Sequence, residues 1–146
     1  MTFRSVLIAN RGEIAIRIAR ACNEMGLRSV AVFSEDDDAS LHTRMADEAV
    51  ALTGHGVKAY LDGAQLIEVA KAHGCEAIHP GYGFLAENAG FARACEQAGL
   101  IFIGPSPDVL EGFGDKSAAR ALAERCEVPL IKGINRSVSL TEARAF

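Results

Sequence analysis

The chain has 146 residues, 49% of them hydrophobic and 23% charged, a globular composition at the size of one domain. Fifteen basic against nineteen acidic side chains leave a net charge of −4, which excludes a broadly basic binder of nucleic acid or membrane surfaces. No apolar run approaches the roughly 18 residues that span a bilayer, and no secretory leader is visible, so a soluble, cytoplasmic chain without nucleic-acid or membrane partners is expected.

Residues 5–9 (SVLIA) form a short apolar run suited to a strand buried on both faces. Residues 13–25 follow with helical spacing, Ile14, Ile18, Ala21, Cys22 and Met25 on one stripe and Gly26 as the stop. Residues 28–33 (RSVAVF) read as a second strand, an acidic loop over 34–38 leads to a short helix near 41–46, and 48–52 is a third strand. A helix over 64–73 carries Leu66, Val69, Ala70 and His73 in phase and ends at Gly74. Residues 77–79 give a fourth strand cut off by Pro80, 88–98 a helix with Phe91, Cys95 and Ala98 on its inner stripe, and 100–103 a fifth strand. Helices over 109–113 and 116–126 follow, and 128–132 reads as a further strand. This alternation describes βαβ units: an α/β fold, a Rossmann-like parallel sheet flanked by helices. Such sheets carry ligands outside the carboxyl ends of their strands.

The tail holds Ser139-Leu140-Thr141-Glu142, a capping-box signature that opens a helix with only residues 140–146 left to form it. A helix that short is marginal alone, so the sequence reads as a fragment of a larger protein. Of the four cysteines, Cys22, Cys95 and Cys126 fall among alanines in helical patterns and Cys75 before a strand; no Cys-x-x-Cys pair occurs. Reduced, buried thiols are expected.

Three strand ends and one helix face stand out. The turn at 10–13 (NRGE) lacks Gly-x-Gly-x-x-Gly, and Glu13 at the helix start would repel a phosphate, which argues against NAD or FAD there. In residues 79–88 (HPGYGFLAEN), Gly81 and Gly83 surround Tyr82, either as an ordinary Pro-Gly turn or as a wall presenting the tyrosine to a ligand, with Glu87 beside it. In residues 112–117 (GFGDKS), Asp115 suits an N-cap and Lys116 the first helical turn, where a cation opposes the helix dipole unless an anion binds. Lys116 is then a phosphate contact or a solvated lysine. Arg17, Arg20 and Glu24 share a face of the first helix, either solvated or reciprocating across a two-fold axis. No catalytic triad and no metal set can be assembled.

Residues 6–15 (VLIANRGEIA), 79–85 (HPGYGFL), 102–105 (FIGP) and 114–116 (GDK) together closely resemble the N-terminal part of biotin carboxylases, the ATP-grasp components of acetyl-CoA, propionyl-CoA, methylcrotonyl-CoA and pyruvate carboxylases. The resemblance runs from about residue 5 to 129. It implies a pre-ATP-grasp domain over 1–129, with 130–146 opening the following lid and ATP-grasp region. The implied reaction is ATP-dependent carboxylation of biotin by bicarbonate through carboxyphosphate, with Mg2+, for an acetyl-CoA or other acyl-CoA acceptor; pyruvate and urea carboxylases, or a non-catalytic dimerisation module, are the alternatives.

By the same resemblance Lys116 contacts ATP phosphates, Tyr82 lines the biotin pocket, Gly81 and Gly83 shape its loop, and Glu87 marks the edge of the site. Arg17, Arg20 and Glu24 match the helix used for homodimerisation, and a biotin carrier domain and a carboxyltransferase are the implied partners. No catalytic residue is assigned within the chain, which alone is expected to be inactive and to bind none of these cofactors firmly. Lys116 and the Tyr82 loop are expected to face a shared cleft. Ala86 stands where the family usually has a serine N-cap, an expected loss of about 1 kcal/mol, and the segment after Pro129 lacks the family's second proline.

Overall fold

A computed structural model describes residues 3–133, 136 and 138–145. Five strands, β1 (Ser5–Ile8), β2 (Arg28–Phe33), β3 (Glu48–Ala51), β4 (Ala77–His79) and β5 (Ile101–Phe102), form one sheet in the order β3-β2-β1-β4-β5. Every pairing is parallel, with Leu7 opposite Val30 and Ile78 in register across β1. The helices are α1 (Gly12–Glu24), α2 (Gly56–Tyr60), α3 (Gly63–Ala72), α4 (Ala89–Gln97), α5 (Pro107–Gly114), α6 (Lys116–Arg125) and α7 (Leu140–Ala145), with a 3-10 turn at Leu41–Arg44. The fold is the α/β Rossmann-like sheet that the alternating pattern implies.

Alternation along β1 divides the core. Val6 and Ile8 meet Ala15, Ile18, Ala19 and Cys22 of α1, whereas Leu7 and Ala9 face Leu66 and Ala70 of α3 and Phe91, Ala92 and Cys95 of α4. A strand buried on both faces needs an unbroken apolar run, which β1 supplies.

Four expectations are corrected. Ile18 and Cys22 of the expected α1 stripe are buried and Ile14 is half-buried against them, but Ala15 and Ala19 complete the buried face in place of Ala21 and Met25. Small alanines let the helix approach the strands, which turns the bulky Ile14 and Met25 to its edge; Met25 is 70% exposed. Residues 128–132 form no strand: they lie exposed, without a strand to bond to, so their apolar pattern has no sheet to complete. The N-cap of α4 is Asn88, whose side chain accepts from the Phe91 N–H at 2.8 Å, so Ala86 removes no cap. Cys126 is exposed, because α6 buries no residue.

The capping box forms: Ser139 N–H and Oγ reach Glu142 at 2.9 and 3.0 Å, although Phe146 of the expected helix lies outside the described residues. The five-residue α2, which buries Ala59 and Tyr60, has no counterpart in the sequence reading because one turn shows no period.

Candidate functional site

The chain runs from β1 outward to β2 and β3, then crosses back to β4 and β5, so the topological switch lies between β1 and β4. In such a sheet this is the ligand crevice. Here a side chain bridges it. Asn10, buried immediately after β1, donates from Nδ2 to the carbonyls of Pro80 at 2.7 Å and Tyr82 at 3.1 Å, while its Oδ1 accepts from the Arg11 N–H at 2.9 Å. Asn10 therefore fastens the loop after β4 to the end of β1 across the switch point.

The loop leaving β4 is shaped by left-handed backbone at Gly81 (φ 70°), Gly83 (φ 65°) and Phe84 (φ 44°). Gly81 has a second constraint, since a Cβ there would lie 2.5 Å from Asn10 Nδ2 and 2.8 Å from Ile14 Cγ2. Its N–H donates to His79 Nδ1 at 3.0 Å, and burial keeps that imidazole neutral by lowering its pKa. Phe84 stacks on Tyr60 with centroids 5.5 Å apart. Between these tethers Tyr82 stands 66% exposed. With Ile14, Arg17, Met25, His79 and Ile103 it lines a mainly apolar groove of about 560 Å³ beside α1.

Lys116 opens α6, as its position after a capping residue predicts. Asp115 breaks away from α5 and caps α6, accepting the Ala118 N–H at 2.8 Å. The Lys116 side chain is exposed and has no acidic partner among the described residues. Open space around Gly112 and Gly114 leaves the backbone before it approachable. Glu87 lines a second cavity, of about 340 Å³, with Pro105, Val109, Leu110, Phe113 and Gly114.

Neither cavity joins the two residues expected to share a cleft. The Tyr82 groove does not include Lys116, and the cavity beside Gly114 includes neither Tyr82 nor Lys116. Tyr82 lines the groove beside α1, whereas α5 packs on α4 and α6 on α5. On α1, Arg17, Arg20 and Glu24 are all exposed, and Arg17 lies 3.7 Å from Glu13 one turn earlier.

A network that sequence reasoning missed lies behind the first turn. Asp37 takes Arg11 Nε at 2.5 Å and Nη2 at 2.6 Å, Ser40 Oγ at 2.8 Å and the Tyr60 hydroxyl at 2.8 Å. Tyr60 in turn accepts the Ser34 N–H at 3.2 Å. The Arg11 guanidinium and these hydroxyls hold the Asp37 carboxyl well below the usual carboxylate range. In the sequence Asp37 is one of four consecutive acids, and only the fold shows which of them turns inward.

Cys22, Cys75 and Cys95 are free and buried, and burial pushes Cys75 up to about 11 and Cys95 up to about 12, far from a neutral-pH thiolate. No group of three or more His, Cys, Asp or Glu side chains is placed to hold a metal ion among the described residues. No helix among them is long and apolar enough to cross a membrane.

Sheet order and parallel pairing define a Rossmann-like domain, with Asn10 bridging the loops at its switch point. The chain belongs to the biotin carboxylase N-terminal domain family, whose profile matches residues 2–110. It is 53% identical over 147 residues to mitochondrial pyruvate carboxylase of Rattus norvegicus, a match covering 98% of this chain and 12% of that enzyme. It superposes on the biotin carboxylase domain of a single-chain bacterial carboxylase with a TM-score of 0.91 and 61% identity, covering 97% of this chain and 33% of that one. The biotin carboxylase domain dimer of Hydrogenobacter thermophilus 2-oxoglutarate carboxylase, in complex with MgADP, ADP and bicarbonate, gives 0.94 and 43% over 99% of this chain and 32% of that one. The chain thus spans about an eighth of the curated relative and a third of these structures.

Proposed function

We propose that this chain supplies one wall of a biotin carboxylase site within a longer, ATP-dependent ligase, with Lys116 meeting nucleotide phosphate and Tyr82 meeting biotin. The observation that carries the reading is Lys116 itself, an exposed cation in the first turn of α6 behind an open glycine backbone, a position that is unfavourable until an anion arrives. Bound ATP with Mg2+ supplies the phosphoryl group that activates bicarbonate. The residues present fit the phosphate, through Lys116 and the first amides of α6, and among the described residues no carboxylate cluster is placed for the metal. Tyr82 offers a ring face and a hydroxyl on a glycine-flanked loop, Gly81 and Gly83 permit the turn, and Glu87 edges the neighbouring cavity.

The acceptor is set elsewhere. Proteins named for pyruvate and for 2-oxoglutarate share this domain at 53% and 43% identity, so the acetyl-CoA acceptor expected from sequence gains no preference from its residues. Carboxylation of biotin is the shared step, and a carrier domain and a carboxyltransferase are its proposed partners. The exposed Arg17, Arg20 and Glu24 of α1, flanked by the exposed Met25, support a homodimer contact through that helix. Lys116→Ala in the complete carboxylase is expected to lower ATP-dependent biotin carboxylation by about 100-fold or more, the scale of losing one transition-state charge contact, with the sedimentation coefficient unchanged. Full activity in that variant overturns the assignment and favours a module that only assembles.

A further inference from the structure

The loop carrying Tyr82 is tied down from both sides, more than a turn after a strand requires. On one side Asn10, 1% exposed, bonds the two carbonyls that flank Gly81. On the other, Phe84 lies against the Tyr60 ring, and the Tyr60 hydroxyl reaches Asp37. Asp37 grips Arg11, the sequence neighbour of Asn10, and the Arg11 N–H returns to Asn10 Oδ1. The contacts close a circuit through Asn10, Arg11, Asp37, Tyr60 and Phe84, with Tyr82 projecting from its open end into the groove.

An exposed aromatic on a free loop loses conformational entropy when a ligand orders it, and a loop already held in place avoids that loss. The hold also fits the strained backbone, because a non-glycine residue at φ 44° persists only where its surroundings over-determine it. We infer that Asn10 is a positioning residue for Tyr82, fixing the ligand-contacting loop from β1, and that the Asp37–Tyr60 pair is the second hold acting through Phe84. The inference rests on the reading of Tyr82 as a biotin contact; neither Asn10 nor Asp37 touches the ligand in it.

Asn10→Asp keeps the acceptor for the Arg11 N–H and removes both donors to the loop. Two bonded amides, Gly81 to His79 Nδ1 and Ala86 to the Gly83 carbonyl, report the loop by hydrogen exchange. In the variant both are expected to exchange at least tenfold faster, with Leu7 and Val30 of the sheet unchanged; unchanged exchange at Gly81 and Ala86 overturns the inference. Should the sheet amides also accelerate, Tyr60→Phe takes over, since it keeps the ring on Phe84 and loses only the hydroxyl. Threefold faster exchange at the same two amides then supports the hold, and no change refutes it. In the complete carboxylase, Asn10→Asp is expected to raise the KM for free biotin at least fivefold with the KM for ATP unmoved. Tyr82→Ala separates the two readings. If it leaves the biotin KM unchanged, the biotin assignment fails; if it raises that KM while Asn10→Asp does not, the positioning role alone fails.

Discussion

Asp37 and Arg11 form a bidentate pair in which the carboxylate is nearly buried and the guanidinium half-exposed, so solvent screens one partner and spares the other. The native pKa of Asp37 is depressed by Arg11, by far below the roughly 3.9 of an unfolded aspartate. A depressed acid favours the folded chain wherever it is ionised in both states. The contribution is therefore fully present above about pH 4 and drains away as pH falls toward the folded-state value. Asp37→Asn is expected to cost about 2 kcal/mol at pH 7, the scale of a lost charged hydrogen bond, and to flatten the acid limb of stability. Asp47, lowered by the Ser29 N–H and hydroxyl, keeps part of that slope in the variant. Urea denaturation at pH 7, 4 and 2.5 reads both effects; parallel loss in parent and variant would show that Asp37 does not govern the limb.

The loop after β4 makes a comparison between two glycines of nearly equal backbone. Gly81→Ala pays the left-handed penalty and also drives a methyl into Asn10 and Ile14, whereas Gly83→Ala meets nothing within 4 Å. Thermal unfolding is expected to rank Gly81→Ala well below Gly83→Ala, whose cost stays near the 1–2 kcal/mol of a left-handed alanine; equal melting temperatures contradict the close packing. The same loop shows what sequence makes legible. Gly81 and Gly83 mark the turn, Pro80 ends the strand, and the Asp115–Lys116 pair announces a helix start that the structure keeps. These signals are local. The Asn10 amide and the Pro80 carbonyl are 70 residues apart, so no window of sequence reveals that one fastens the other. On α1, periodicity places Ile18 and Cys22 on the buried face, but only the close approach of Ala15 and Ala19 shows that Ala21 and Met25 stay outside it. Residues 128–132 carry a strand-like pattern, and a strand exists only where a neighbour offers its ladder.

At the scale of the whole molecule, neither of the two cavities holds both of the groups proposed to meet ligand in one reaction. Tyr82 opens onto the groove beside α1, and Lys116 lies past the second cavity at the start of α6. Phosphoryl transfer depends on several cations and a metal acting together around the reacting phosphate. In the proposed reading this chain brings Lys116 to that task and, among the described residues, no acidic cluster to hold the metal. The solved relatives it superposes on are three times its length, and we propose that their additional segments complete a cleft that joins Tyr82 and Lys116. Positioning contributes to rate only when every partner is in place, so a lone wall gives no partial credit in turnover. Purified chain of residues 1–146, supplied with Mg2+, ATP, bicarbonate and free biotin, is accordingly expected to release phosphate at the background rate, with no increment on adding bicarbonate. A bicarbonate-dependent increment, abolished by Lys116→Ala, would mean that the groups needed for transfer are already assembled on this domain.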